Sequence, residues 1–209
     1  MFLLGLTGSI GMGKSTASAG FRCFGIAVFD SDAAVHGLLA SGGAAVAAVD
    51  AAFPGCRKGD GIDRAALGRG VFGDPARLAR LEAILHPLVR RAQRRFLARC
   101  CAAGRRLVVL DIPLLYETGG ERLVDAVAVV SASAGVQARR VLRRPGMSAS
   151  RLEAILRRQL PDADKRRRAD FVIRTDLDLR RAKAQIARVI DAARARPARA
   201  WPRRWPLIA

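Results

Sequence analysis

The sequence predicts an α/β protein: a five-stranded parallel sheet with helices on both faces. Three observations predict it. Short apolar runs of strand length at residues 2–6, 25–29, 107–111, 126–130 and 170–173 alternate with helical segments, and parallel strands need such crossovers, covered on both faces and right-handed. The first run opens directly into a glycine-rich turn, and the residues after that turn can start a helix. The chain of 209 residues is long enough for one domain with a real core and a small inserted lid.

The glycine-rich turn carries the clearest chemistry. Gly8-Ser9-Ile10-Gly11-Met12-Gly13-Lys14-Ser15 fits the phosphate-binding pattern G-x-x-x-x-G-K-[ST], with a strand before it and a helix after it. Glycines at 8, 11 and 13 allow backbone conformations that a Cβ penalises. The N–H groups of the loop then turn inward on a triphosphate, at a helix N-terminus that favours anions. Lys14 supplies a mobile charge for the β- and γ-phosphates, and Ser15 a hydroxyl oxygen for Mg²⁺.

Composition bounds the class. No run of eighteen apolar residues is free of charge, so no membrane span is expected. No basic segment precedes the first apolar run, so no secretion signal is expected. The four cysteines lack metal-ligand spacing and, beside a nucleotide loop, point to reduced thiols in the cytoplasm. The net charge of +19 invites a nucleic-acid reading. Only four of the 37 basic residues are Lys, however, and the arginines are spread along the chain. Adsorption to polyanions at low salt is expected, and no specific nucleic-acid partner.

The second run ends in Asp30-Ser31-Asp32. Ligands gather at the carboxyl ends of parallel strands, so both carboxylates stand where chemistry is done. Either also suits the cap of the helix expected over 33–39; one is enough for a cap, which leaves a second role for the other. Residues 41–73 read as small helices and turns, with Gly59-Asp60-Gly61 a turn and Asp63 a cap. Asp74-Pro75 starts a helix, and Leu78, Leu81, Ile84 and Leu85 give it one apolar face. His86-Pro87 predicts a break, with another helix from Pro87 to about residue 102.

The run at 107–111 ends in Asp111, placed to hold Mg²⁺ through water or to serve as a turn or cap residue. Residues 137–144 read as a basic helix, Pro145-Gly146 as its break, and Ser148 as the cap of a helix to about residue 160. Helix, break and helix with arginines is what a mobile lid over a phosphoryl-transfer site needs. Residues 165–168 are a basic run. A last helix is expected from residue 177 to about 193, with Leu179, Ala182, Ile186, Val189 and Ile190 on its apolar side. The Pro-, Arg- and Trp-rich tail at 196–209 is expected to be flexible or laid on the surface.

Several of these stretches together resemble the dephospho-coenzyme A kinase family, of the P-loop nucleoside-monophosphate-kinase-like fold. Leu6 to Thr16 resembles its P-loop, and Phe29-Asp30-Ser31-Asp32 its D-x-D strand end. Asp60-Gly61-Ile62-Asp63-Arg64 and Leu85-His86-Pro87 are similar to its acidic-Gly-to-Arg and HP signatures, and Asp111-Ile112-Pro113-Leu114-Leu115-Tyr116-Glu117 to D-x-PLL-x-E. Gln137, Arg140, Gln159 and Ala169-Asp170 resemble its lid and last strand.

The resemblance implies a kinase domain over 1–195, with an acceptor-binding helical region at about 33–103 and a lid at about 139–165. It implies transfer of the ATP γ-phosphate to the ribose 3′-hydroxyl of dephospho-CoA, with Mg²⁺, by a monomer or weak oligomer. Asp32 matches the acidic residue that orients or deprotonates the hydroxyl. Gly11, Met12, Gly13, Lys14, Ser15 and Thr16 match the holders of the ATP phosphates, with Lys14 and Arg140 acting on the transferred group. Arg140 matches a nucleotide-contacting lid arginine; Arg64, His86 and Glu117 match residues near the acceptor; Ser15 and Asp111 are the metal candidates. Thr175 stands where the family often has Asn, near the place of the adenine.

The nearest alternative is another small-molecule kinase of the same fold, acting on a nucleoside monophosphate or a sugar acid. A GTPase is disfavoured by the lack of an N-K-x-D signature. A P-loop nucleic-acid-binding protein using the +19 charge is the alternative from another class, and predicts ATP turnover stimulated by DNA or RNA.

Overall fold

A computed structural model describes residues 1–71, 73–176 and 178–206. In chain order the elements are β1 (Phe2–Thr7), α1 (Lys14–Cys23), β2 (Ala27–Asp30), α2 (Ser31–Leu39), α3 (Val46–Ala52), β3 (Arg57–Lys58), β4 (Gly61–Ile62), α4 (Arg64–Val71), α5 (Pro75–Ala102) and β5 (Leu107–Asp111). A short 3₁₀ turn (Gly120–Leu123) follows, then β6 (Ala126–Ser131), α6 (Ala134–Leu142), α7 (Ala149–Arg157), α8 (Asp162–Arg168), β7 (Phe171–Arg174) and α9 (Leu179–Arg194). The chain divides into two compact units, residues 1–29 with 99–206, and residues 30–98.

The first unit carries the expected five-stranded sheet, in the order β2-β5-β1-β6-β7. β1 pairs in parallel with β5 and β6, and β6 with β7. Every residue of β1, β5 and β6 is buried, which is why these strands read as unbroken apolar runs and do not alternate. Strand order reverses around β1, so the loop after β1 opens at the switch point where such sheets bind ligands. Ala17 and Phe21 of α1 and Ile186, Val189, Ile190 and Ala193 of α9 pack with Leu4, Leu6, Val109 and Val130 into one core. Each large side chain fully buried this way contributes about 1.5–3 kcal/mol.

The second unit builds its own core from Leu39, Val46, Val49, Phe53, Ile62, Leu67, Leu81 and Leu85. The expected turn at Gly59 joins the antiparallel pair β3 and β4. Here the expectation at His86-Pro87 is corrected: α5 runs unbroken from Pro75 to Ala102 with Pro87 inside it. Pro87 removes one helical hydrogen bond, a cost of about 3 kcal/mol. Leu81 and Leu85 before it are buried, as are Leu97 and Cys100 after it, and this apolar face on both sides outweighs one missing N–H.

Three other boundaries differ. The helix capped by Ser148 ends at Arg157. The basic run at 165–168 belongs to α8. The last helix starts at Leu179 behind Asp178, whose carboxylate accepts from the Arg181 N–H at 2.8 Å; residue 177 lies outside the described residues. The tail is laid down along residues 122–125, with residues 207–209 outside the description. Asp125 accepts from the N–H groups of Arg199 (2.6 Å) and Ala200 (2.7 Å) with one oxygen and from Leu3 (2.8 Å) with the other. Arg204 donates to the Val124 carbonyl at 2.6 Å, and buried Trp205 donates its indole N–H to the Leu123 carbonyl at 2.9 Å.

Replacing Trp205 by Ala should therefore lower the unfolding free energy by about 3 kcal/mol in a urea titration. A change under about 1 kcal/mol would mean that the tail adds no packing in solution.

Candidate active site

The glycine loop joins β1 to α1, and its glycines are required by geometry. Gly11 and Gly13 have φ of +76° and +87°, where a side chain is strained. Gly8 is needed for space: a Cβ there would come 2.6 Å from the Val130 carbonyl oxygen. Met12 N–H closes the turn on the Ser9 carbonyl at 3.1 Å. Gly13 caps α1 without a side-chain hydrogen bond, and Ser15 and Thr16 are exposed in its first turn. A helix start with open N–H groups is an anion site in waiting.

Lys14 and Asp111 meet. The ammonium forms an ion pair with one Asp111 oxygen, and the Ser18 hydroxyl donates to the other. Asp111 is only 2% exposed. This places the loop lysine on a buried carboxylate at the end of β5, beside helix α1, whose first turn holds Ser15.

Side chains from α6 and beyond close over the loop. Gln137 donates to the Ile10 carbonyl at 2.8 Å, and the Gln159 amide oxygen accepts from the Ile10 N–H at 3.1 Å. Arg140 donates to the Thr175 hydroxyl oxygen (3.0 Å), the Thr175 carbonyl (2.6 Å) and, more weakly, the Gly11 carbonyl (3.4 Å). Beside α1 lies an apolar hollow of about 220 Å³ lined by Thr16, Ala17, Gly20, Ile173, Thr175 and Leu179. It is smaller than a whole-ligand pocket of about 300–1,000 Å³, and suits one flat end of a ligand. A larger hollow of about 440 Å³, around Gly42, Arg57 and Asp60 in the second unit, contains none of the expected site residues.

In the second unit the two candidate carboxylates separate by role. Asp30 is the cap of α2 and accepts from the Ala33 N–H at 3.0 Å. Asp32 is exposed in the first turn of α2 and has no hydrogen-bond or ion-pair partner among the described residues. His36, four residues on, shares its face of the helix. Arg64 donates to His36 Nδ1 at 2.9 Å; since arginine only donates, His36 carries its proton on Nε2. Asp63 caps α4 through the Ala65 and Ala66 N–H groups (2.9 and 3.1 Å), and these bonds hold its carboxyl below the usual range. His86 is exposed on α5.

The family model described as dephospho-CoA kinase matches residues 2–180. The chain belongs to the dephospho-CoA kinase family. A dephospho-CoA kinase from Paramagnetospirillum magneticum is 64% identical over 166 residues, 79% of this chain and 78% of the relative. One from Rhodospirillum rubrum is 57% identical over 194 residues, 92% of each. A crystal structure from Thermus thermophilus superposes with a TM-score of 0.79 at 36% identity, covering 91% of this chain and 96% of the other. The activity is ATP-dependent transfer of a phosphoryl group to the ribose 3′-hydroxyl of dephospho-CoA, the last step of coenzyme A synthesis.

Two residues of this kinase, Lys165 and His36, occupy places that the sequence does not announce. Glu117 accepts from the Leu160 N–H at 2.8 Å and lies 2.8 Å from the ammonium of Lys165, off the line of a hydrogen bond. Lys165 is fully buried. Read from the sequence, it was one of four basic residues in a row, with nothing to mark the one that turns inward. The structure gives Glu117 a partner on α8. His36 also escaped notice; its spacing of four from Asp32 was the available signal.

Burial pushes the Glu117 carboxyl up, but Lys165 and the Leu160 N–H outweigh it and hold the group below the usual range. The folded-state pKa is depressed, so the stabilisation is present above about pH 4.3, the ordinary glutamate value, and is lost as pH falls through the folded value. Glu117→Gln should lower stability by about 3 kcal/mol at pH 7 by stranding a buried ammonium. Thermal melts should show that gap narrowing toward pH 3, and a gap constant with pH would refute the pairing.

Proposed function

We propose that the P-loop unit of this kinase binds Mg·ATP through the residues Gly11 to Thr16 and Arg140, and that Asp32 receives the proton of the ribose 3′-hydroxyl. The observation that carries the reading is the meeting of Lys14, Ser18 and Asp111 at the mouth of the glycine loop. The apolar hollow beside Thr16 and Thr175 takes the adenine.

Mg²⁺ fits the donors present. Among the described residues no group of three or more His, Cys, Asp or Glu forms a cluster, but Mg²⁺ held by phosphates needs only one or two protein oxygens. The Ser15 hydroxyl and the Asp111 carboxylate are hard oxygen donors of that kind. Bound there, the ion would neutralise charge on the phosphates.

The remaining steps belong to the chain. Lys14 moves its charge from Asp111 to the β- and γ-phosphate oxygens. Arg140 exchanges neutral carbonyl acceptors for phosphate, a stronger partner. The ribose oxygen bonds to the γ-phosphorus, its proton passes to Asp32, and the bond from that phosphorus to the β-bridging oxygen breaks, releasing ADP. Arg64, held by His36, and His86 bind the anionic acceptor. Residues 139–165 exclude water, against which ATP hydrolysis would otherwise compete. The four free thiols suit a reducing cytoplasm.

The test is ADP formation from Mg·ATP with and without dephospho-CoA, against a panel of nucleoside monophosphates and sugar acids. Dephospho-CoA alone should raise the rate strongly; stimulation by another acceptor instead would overturn the assignment. Asp32→Asn should lower kcat by about 10²-fold or more with ATP KM little changed, and near-wild-type turnover would remove Asp32 from the chemistry. Lys14→Ala should weaken ATP binding and turnover together, and an unchanged rate would exclude the loop as the phosphate site.

A further inference from the structure

The loop that cradles the triphosphate is held in shape by side chains from outside itself. Gln137 donates to the Ile10 carbonyl at 2.8 Å. The Thr175 hydroxyl, just past β7, donates to the Met12 carbonyl at 2.5 Å. A trans peptide is planar, with its C=O and N–H pointing to opposite sides, and the peptides of this loop are trans. Fixing the Ile10 and Met12 carbonyls on one side therefore aims the Gly11 and Gly13 N–H groups to the other. Neither of these two N–H groups meets an acceptor among the described residues. The neighbouring N–H groups of Ile10 and Met12 do, at Gln159 and Ser9, both at 3.1 Å. The loop thus alternates closed donors at 10 and 12 with open donors at 11 and 13.

Thr175 is the pivot of the second half of this pattern. Its backbone N–H is anchored on the Ser131 carbonyl at 2.9 Å, and its side chain is buried. It lies so close to Gly13 that a Cβ there would be 2.7 Å from the Thr175 hydroxyl oxygen. The same oxygen accepts from Arg140 at 3.0 Å, and the Thr175 carbonyl accepts from Arg140 at 2.6 Å.

We propose that Thr175 is a positioning residue for ATP: its hydroxyl sets the Met12–Gly13 peptide so that the Gly13 N–H faces the triphosphate, and it holds the Arg140 guanidinium beside the loop. This rests on the reading of the loop as the ATP site. The hydroxyl gives one hydrogen bond and takes another, so valine, of nearly the same shape, fills the space and makes neither, leaving Arg140 its bonds to the backbone carbonyls. Serine makes both.

The experiment uses the full chain, Thr175→Val and Thr175→Ser, with calorimetric binding of a non-hydrolysable ATP analogue and KM values for both substrates. Thr175→Val should weaken analogue binding and raise ATP KM by about tenfold, the scale of one lost hydrogen bond. KM for dephospho-CoA should stay within about twofold, and Thr175→Ser should stay within about twofold of wild type in all three, since the hydroxyl is retained. The inference is overturned if the valine variant binds the analogue as wild type does, if serine is impaired as much as valine, or if both KM values rise together. A wild type that binds the analogue but ignores dephospho-CoA removes the acceptor assignment and leaves this comparison decisive. A wild type that binds no ATP analogue overturns both.

Discussion

One carboxylate ties the nucleotide end of the fold together. Asp111 ends β5 opposite Leu6 of β1, the strand that feeds the glycine loop. It receives the Lys14 ammonium and the Ser18 hydroxyl, so strand, loop and helix α1 are joined at one buried point. An unpaired carboxylate there would cost several kcal/mol to bury. The two donors are therefore a condition for ending an apolar strand in Asp. The parallel order around β1 is a further condition, because only a parallel sheet brings the carboxyl ends of β1, β5 and β6 to one edge.

The excess of arginine divides into two populations once the chain is folded. Most arginines are exposed, and exposed pairs such as Arg157 with Glu153 contribute about 0–1 kcal/mol. A few are fixed by more than charge. Arg168 lies 4.4 Å from the Tyr116 ring centroid and pairs with Glu121 at 3.0 Å. Burial pushes the Tyr116 hydroxyl up to about 12, with Arg168 pulling against it. Arg140 is fixed by neutral acceptors on Thr175 and Gly11. Composition reports the first population and hides the second, since a fixed arginine and a solvated one are the same letter.

The same distinction separates what was legible in the sequence from what was not. The glycine loop was legible because its requirements are local: positive φ at Gly11 and Gly13, and no room at Gly8. The three inner strands β1, β5 and β6 were legible because burial on both faces leaves an apolar run that needs no partner to be recognised. The choice between Asp30 and Asp32 was not, because both suit a cap and only the Ala33 N–H decides. Pro87 was misread as a break because a local rule met a tertiary gain, the apolar face buried on both sides of it. Lys165, His36 and the docking of Trp205 depend on partners 48, 28 and 82 positions away in sequence, and no local pattern carries such a distance.

The chemistry of the loop's outer ties bears on how it works. Gln137, Gln159 and Thr175 hold it through neutral hydrogen bonds, each worth about 0.5–1.5 kcal/mol net. Among the described residues Arg140, though charged, is given carbonyl and hydroxyl acceptors and no carboxylate. A carboxylate in place of Thr175 would hold Arg140 more tightly, and would also repel an incoming triphosphate and compete with it for the guanidinium. Neutral ties avoid both penalties: those of Gln137, Gln159 and Thr175 keep the loop's shape, and the neutral acceptors of Arg140 leave it able to turn to a phosphate, whose hydrogen bonds to charged donors run to about 1.5–3 kcal/mol. The charge pair of Glu117 with Lys165 involves neither the loop nor Arg140. Its carboxylate also binds the Leu160 N–H between α7 and α8, where a tight hold fixes that connection and leaves the loop's donors to the ligand.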